Sequence, residues 1–454
     1  MQENKDKRFS DLKAVRTKRI RARYFNSSYK ISISNKKNKM VGVILAVFLL
    51  VFIGVIFFKS SVYKKIFLIY SLKNQTMLVG FQNSAELRPT GGFWGSFALW
   101  KIDSSVLKNK LYFDTNPYKK DNSLMKESSI ELPKPMKETW PDRNQSFVNA
   151  NWQVDFPETA KSLQWFLHEG WNEKTDGVIA ISSLAIIDLL KLTGPITLSD
   201  NTTVSSDNFT KILSEKIDKE YWQESENLKI NEPKTILKEF SPELIERTKK
   251  LGFFTLYRYF TKQAESGRIL FYSNSPKQQK LSKELNISGE LKTYALDYVY
   301  VNNANLNGGK SSLNVKEKIV YSIEKGETNP VGTLNITRTC NDSWPNILNR
   351  NYARALVPLG SKLISAELEN KSITKEIEIG QESNSTSFGF WFSTSPDESQ
   401  QVTIKYELPF DNFSLNSYHL IWQKQPGTIE EIIQIKKDGQ ILFEGDTNQN
   451  SLSL

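Results

Sequence analysis

Three observations predict an α/β domain with a mixed sheet and flanking helices, preceded by one transmembrane helix and followed by a β-sandwich-like domain. Between residues 77 and 310, short apolar strand-like runs alternate with segments of helical period. An uncharged, almost wholly apolar run occupies residues 41–58 ahead of them. After about residue 310 the period falls to two, with no convincing helical pattern. The implied division is a basic tail at 1–39, a membrane helix at 40–58 and a juxtamembrane helix or stalk at 59–76. The α/β domain then takes 77–310 and the β-sandwich-like domain 311–454.

The tail accounts for the charge. The chain carries +10 over 454 residues, but residues 1–40 alone hold 13 Lys/Arg against 3 Asp/Glu, and the remainder is neutral. A neutral body disfavours nucleic-acid binding, which needs a basic face on the folded part. The apolar run is long enough, at about 27 Å as a helix, to cross a hydrocarbon core. Lys36, Lys37 and Lys39 precede it and fewer cations follow, so the positive-inside rule puts the tail in the cytoplasm and the body outside. A cleavable signal peptide is the rival reading, weakened by the absence of a small-x-small site at the end of the run. The lipid bilayer is thus an expected partner through 40–58, and a single-pass plasma-membrane location follows.

In the body, one stretch stands out: FQNSAELRPTGGFWGS at residues 81–96. Apolar strands enter and leave it. Between them lie Asn83, Glu86 and Arg88, then Pro89, whose ring fixes φ, and Gly91 and Gly92, which permit a positive φ or a close approach to a bound group. An acid, a base and two glycines between buried strands fit a site; they fit equally a tight turn in which Glu86 and Arg88 pair. The spacing matches neither a Walker A loop nor a dinucleotide fingerprint. A second polar stretch, residues 140–157, places Asp142, Arg143, Asn149, Asn151 and Asp155 among Trp140, Trp152 and Phe156. Aromatic faces interleaved with amides and acids suit a polar ligand such as a sugar, or a surface loop pinned by its rings.

The order continues with a helix from Pro157 to Leu167, a strand at 175–181, a helix at 184–192 closed before Gly194, and strands at 268–272 and 294–301. Further on, Val402, Ile404, Tyr406 and Leu408 alternate as a half-buried strand does, and Lys437–Gly439 reads as a hairpin turn. Cys340 is the one cysteine and His168 and His419 are the two histidines, so an intrachain disulfide, a cysteine metal site and a Ser-His-Asp triad are all poorly supported.

The stretch at 81–96 closely resembles the signature of the bacterial DUF4012 family of membrane-anchored proteins. NWQVDFP at 151–157, TDGVIAI at 175–181, LTGP at 192–195, VNNANLNGGK at 301–310 and NYARALVPLGS at 351–361 agree with that family in order. The resemblance covers roughly residues 60–430. Trp94 stands where the family leads one to expect isoleucine, and Asn303 is an extra polar residue. The family supplies no activity. In organisation it is similar to the LytR-CpsA-Psr phosphotransferases, which join an exterior α/β domain to one membrane helix and transfer polyprenyl-pyrophosphate-linked glycopolymers with arginines, acids and Mg²⁺.

Two functions follow. One is a membrane-anchored extracytoplasmic cell-envelope protein that binds envelope glycans or protein partners, or is structural, with no cofactor. The other, by that resemblance, is a Mg²⁺-dependent phosphotransferase. In it Arg88 and Arg143 clamp a pyrophosphate, since planar guanidinium groups bind phosphate oxygens in pairs. Glu86 and Asp155, with Asp142 a further candidate, hold Mg²⁺ or activate an acceptor. Asn83, Asn151 and Trp152 position the substrate, and Gly91 and Gly92 let it approach.

Overall fold

The first sheet is built around a strand whose alternate residues face two different helical layers. It is seen in a computed structural model that describes residues 61–105, 108–114, 121, 124, 129–223, 227, 234, 236–306, 309–429, 431–447, 449 and 451–454. The strands are β1 (Gln75–Asn83), β2 (Phe93–Ser105), β3 (Lys108–Asp114), β4 (Gly177–Ser182) and, after a small ribbon of β5 (Ile196–Thr197) and β6 (Thr203–Val204), β7 (Ile269–Ser273). Their order is β3-β2-β1-β4-β7. β1 runs antiparallel to β2 and parallel to β4, and β4 runs antiparallel to β7, so the sheet is mixed.

Period-two alternation divides its core. Leu78, Val178 and Leu270 pack on one side with Ala160, Leu163, Phe166 and Leu167 of the helix Phe156–Trp171. Met77 and Phe271 point to the other side, against Leu68 and Leu72 at the end of the helix Ser61–Ser71 and beside it. The expected helix after Pro157 is therefore present, entered through the extended Asp155 with proline in its first turn. The expected helix after the TDGVIAI strand runs Ser183–Thr193, its first turn capped by the Ser182 hydroxyl, which accepts from Leu184 N at 3.1 Å. With the helices Phe209–Asp218, Ile236–Lys249 and Phe253–Glu265 it encloses a separate apolar cluster around Leu190, Val204 and Phe240.

The rest of the chain forms two larger sheets. Their strands are β8 (Asp297–Asn305), β9 (Val315–Glu324), β10 (Val331–Cys340), β11 (Asn351–Pro358), β12 (Lys362–Leu368), β13 (Lys371–Ser372), β14 (Glu378–Glu382), β15 (Ser385–Trp391), β16 (Ser399–Glu407), β17 (Leu420–Gln423), β18 (Glu431–Lys437), β19 (Gln440–Asp446) and β20 (Ser451–Ser453). One sheet is ordered β13-β12-β16-β10-β9-β18-β19, the other β14-β15-β11-β8-β17-β20. Side chains of both, such as Val299, Val357 and Phe388 from one and Ile319, Ile404 and Ile433 from the other, share one apolar cluster.

Two expectations need correcting here. The segment after residue 310 is not a closed β-sandwich: it supplies most of two open sheets, and β8, expected as a last strand of the α/β domain, lies inside one of them. Both sheets are mixed, since β8 pairs parallel with β17 and β9 pairs parallel with β18. Alternation in sequence reveals which face a strand buries, not which strand it pairs with. The membrane-anchored reading, with its transmembrane helix, its bilayer partner and its single-pass location, is also without support among the described residues. Among the described residues no helix is long and apolar enough to cross a membrane. The run at 40–58 and the basic tail lie outside the described residues.

Candidate functional site

The loop between β1 and β2 is bound on several sides by backbone and side-chain hydrogen bonds. Asn83 ends β1 half-buried, and its Oδ1 accepts from Ala85 N at 3.2 Å, which turns the chain out of the sheet. The next residues dock on the end of β8 and the segment after it. Asn305 N donates to Leu87 O and Ser312 N to Ala85 O, both at 2.9 Å. Leu87 N donates to Ser312 Oγ at 3.2 Å.

Arg88 is the centre of this docking and is 1% exposed. Its Nη2 pairs with Glu86 Oε1 at 3.0 Å, and its Nη1 donates to Asn305 O. Its guanidinium lies 5.6 Å from the Phe93 ring centre and 5.5 Å from that of Trp140. The loop's carbonyls are also taken. Gln425 Nε2 donates to Arg88 O at 3.1 Å, Asn302 Nδ2 to Pro89 O at 2.9 Å, and Asn151 Nδ2 to Gly92 O at 2.6 Å.

The glycines serve this close fit. Gly91 and Gly92 have φ of 123° and 156°. A Cβ on Gly92 would sit 2.5–2.8 Å from the Asn83 carbonyl and Ser84 N. Gly92→Ala is therefore expected to destabilise the fold by about 1–3 kcal/mol, read from urea denaturation. An unchanged midpoint would mean that the turn has room it does not display.

Glu86 sits in a charged neighbourhood of its own. Burial pushes its carboxyl up, opposed by Arg88, Lys310 and Lys234, while Asp218 adds to the rise. Burial likewise pushes the Arg88 guanidinium down, opposed by Glu86. Lys234 is buried and donates to Gly95 O; burial and the Lys310 charge lower its ammonium to about 7. Lys310 pairs with Asp218.

The other expected residues lie elsewhere. Asp155 stands at the start of the helix Phe156–Trp171, and its Oδ1 accepts from Leu291 N at 2.9 Å. Burial raises it to about 6, against the Leu291 bond, and the charges acting on it are Glu290, Glu158 and Lys161 rather than Glu86 or Arg88. Arg143 and Asp142 are exposed. The Arg143 guanidinium is 5.9 Å from the Trp140 ring, so the two arginines meet one indole, one from within the protein and one at its surface. Trp152 is buried under Arg354, whose guanidinium is 4.5 Å from its ring and whose Nη2 donates to its carbonyl at 2.9 Å.

Sequence reasoning missed Gln425, Asn302 and Arg354, which reach the loop and its neighbours from far along the chain. It also missed Asp121, fully buried, which accepts from Ser146 Oγ at 2.8 Å and Phe147 N at 2.7 Å. Asn302, inside VNNANLNGGK, and Arg354, inside NYARALVPLGS, lay in segments singled out beforehand, whereas Gln425 and Asp121 did not.

The arrangement corrects the phosphotransferase reading. Among the described residues no group of three or more His, Cys, Asp or Glu side chains converges as a metal site. Glu86 and Asp155 respond to different sets of charges, and the guanidinium required as a phosphate clamp faces protein acceptors.

No curated protein matches the chain. Among solved structures, a Legionella pneumophila protein with a proposed nutrient-binding role aligns at 9% identity and TM-score 0.19, over 28% of this chain and 51% of its own. An M1 zinc metallopeptidase of Deinococcus radiodurans aligns at 12% identity and TM-score 0.16, over 27% of this chain and 32% of its own. The chain thus spans about half the length of the first and a third of the second. Likenesses so slight bear on neither its fold nor its chemistry. Residues 73–217 match the profile of the family described as "Protein of unknown function (DUF4012)", so the likeness to that family rests on this segment, shorter than the 60–430 expected.

Proposed function

We propose that the signature loop is a structural joint and that the chain is a non-catalytic scaffold, whose first sheet is held rigidly on the two larger sheets. One observation carries this reading: Arg88, the residue best suited to bind an anionic substrate, is sealed from solvent and directed at Glu86 and Asn305. A catalytic or binding arginine needs donors that its ligand can reach; Arg88 Nη1 and Nη2 meet protein acceptors, and Nε, which makes no hydrogen bond, is buried. Here the loop's donors and acceptors meet groups from β8, from the segment before the helix Phe156–Trp171, and from Gln425. On this reading Asn83 shapes the turn, Gly91 and Gly92 permit the close fit, Asn151 ties Gly92, Trp152 is clamped by Arg354, and Asp155 tethers Leu291.

Arg143 provides the contrast. It is exposed, with its guanidinium 5.9 Å from the Trp140 ring, so Arg143→Ala is expected to stay within about 0.5 kcal/mol of the parent in urea denaturation. Arg88→Ala is expected to lose several times that. Equal, small effects at the two positions would remove the basis of the joint.

A further inference from the structure

Where the loop meets the larger sheets there is a chamber of about 30 Å³, lined by Leu87, Glu317, Arg338, Gln425, Thr428 and Glu431 among others. Its polar walls are incompletely paired. Asn303 Nδ2 lies 3.3 Å from each Glu317 oxygen, a long contact shared between two acceptors. Arg338 Nε is 3.4 Å from Glu317 Oε2, is buried and makes no hydrogen bond, although Nη1 donates to Phe392 O and Nη2 to Asn349 Oδ1. Glu431 accepts from Thr447 Oγ1 at 3.0 Å. Buried carboxylate lone pairs and a guanidinium N–H left unpaired are costly unless something in the chamber meets them.

The occupant must donate to the carboxylates and accept from Arg338. A metal cation accepts no N–H, and an anion is repelled by two acids. Water does both, and a water needs roughly 10–15 Å³ of such space, so about two fit. The lining itself holds two acids and one guanidinium, with the buried Lys424 ammonium behind Glu431 directed to Thr447 O, so the lining carries one net negative charge, which a single retained proton removes.

We propose that the chamber is a hydrated proton site, in which water bridges Glu317, Arg338 and Glu431, one proton is retained on the acid pair, and its loss loosens the joint at residues 84–92. This rests on the structural reading of the loop and adds its regulation. The groups facing Glu431 are Glu317 on β9, Tyr300 on β8, Lys424 after β17 and, across the chamber, Arg338 on β10 beside Cys340. Burial and the Glu317 charge push the Glu431 carboxyl up to about 7, with Lys424 and Thr447 opposing. A raised folded-state value means that the stabilisation is complete below the unfolded value near 4.5 and is lost as pH rises through about 7.

The test is hydrogen exchange of the full chain, reading residues 84–92 between pH 4.5 and 8.5 and corrected for the intrinsic pH dependence of exchange. In the parent the opening constant is expected to rise by up to about tenfold per pH unit to pH 7 and then level off. Glu431→Gln, which imitates the protonated acid, should lose that slope and stay protected at pH 8. Glu317→Gln should move the rise to lower pH. An unchanged slope in folded Glu431→Gln overturns the proposal. So does failure of both variants to fold at pH 5, because the amide preserves the chamber's charge there. A dry chamber in a high-resolution crystal structure removes the water. The underlying reading fails separately: Arg88→Ala exchanging no faster than the parent at pH 5 sinks the joint, whereas a fast Arg88→Ala with an unaltered Glu431→Gln slope sinks only the proton site.

Discussion

Arg88→Ala is expected to destabilise the protein by about 3–5 kcal/mol, measured by urea or thermal denaturation. The loss has two parts. Glu86, 8% exposed, keeps its carboxylate without the guanidinium 3.0 Å away, and Asn305 O loses its donor. An uncompensated buried charge costs more than the pair it leaves behind contributed, so the double change Glu86→Leu with Arg88→Met is expected to recover part of the loss. The single variant should also respond to pH with a definite sign. Burial already holds the Glu86 carboxyl above its usual range, and removing Arg88, the first of the opposing charges, raises it further. The variant is therefore least damaged in acid, where Glu86 is neutral, and loses stability as pH rises through its folded-state value. A loss that does not vary with pH would show that Glu86 finds another partner, with Lys310 and Lys234 the other cations acting on it.

Trp94→Ala is expected to cost a similar amount, about 3–5 kcal/mol, for a different reason. The side chain is fully buried, in the cluster that joins the first sheet to the helix Phe156–Trp171, and meets the Phe147 ring edge-on at 6.2 Å. Its ring also fills the space over Gly80, where a Cβ would enter the indole. The two positions should therefore be coupled. Gly80→Ala alone is destabilising by overpacking, but in the Trp94→Ala background its methyl enters the vacated space and part of the loss returns. Additive losses in the double variant would show that the indole and Gly80 are not complementary. The same pair gives a physical meaning to the unexpected tryptophan: a larger ring at 94 is accommodated by the absence of a side chain at 80.

Much of the local structure was legible in the residues. Pro157 and the spacing of Ala160, Leu163 and Leu167 marked a helix that runs Phe156–Trp171. The TDGVIAI run became β4, and Ser182 caps the helix after it. Alternation in QVTIKYEL became β16, with Val402, Ile404 and Tyr406 all buried. These are properties of neighbouring residues, set by a period, a cap or a fixed φ, and the chain displays them directly. The conspicuousness of residues 81–96 was legible in the same way, as was the possibility that Glu86 and Arg88 pair.

Tertiary structure alone decided where that pairing sits and what surrounds it. Asn302, Asn305, Ser312 and Gln425 stand some 210–340 positions from the loop they hold, as the bonds from Asn302 and Gln425 illustrate. Their amide and hydroxyl groups carry no periodic signal that would announce such a contact. Strand partners were hidden for the same reason, since β8 pairs with β11 and β17 and β9 with β18 across long intervals. A side chain's chemical type is written in the sequence, whereas its exposure and the identity of its partner are fixed only when distant segments fold together. Arginine, glutamate and glycine in one loop describe a substrate site and a buried joint equally well; the 1% exposure of Arg88 favours the joint.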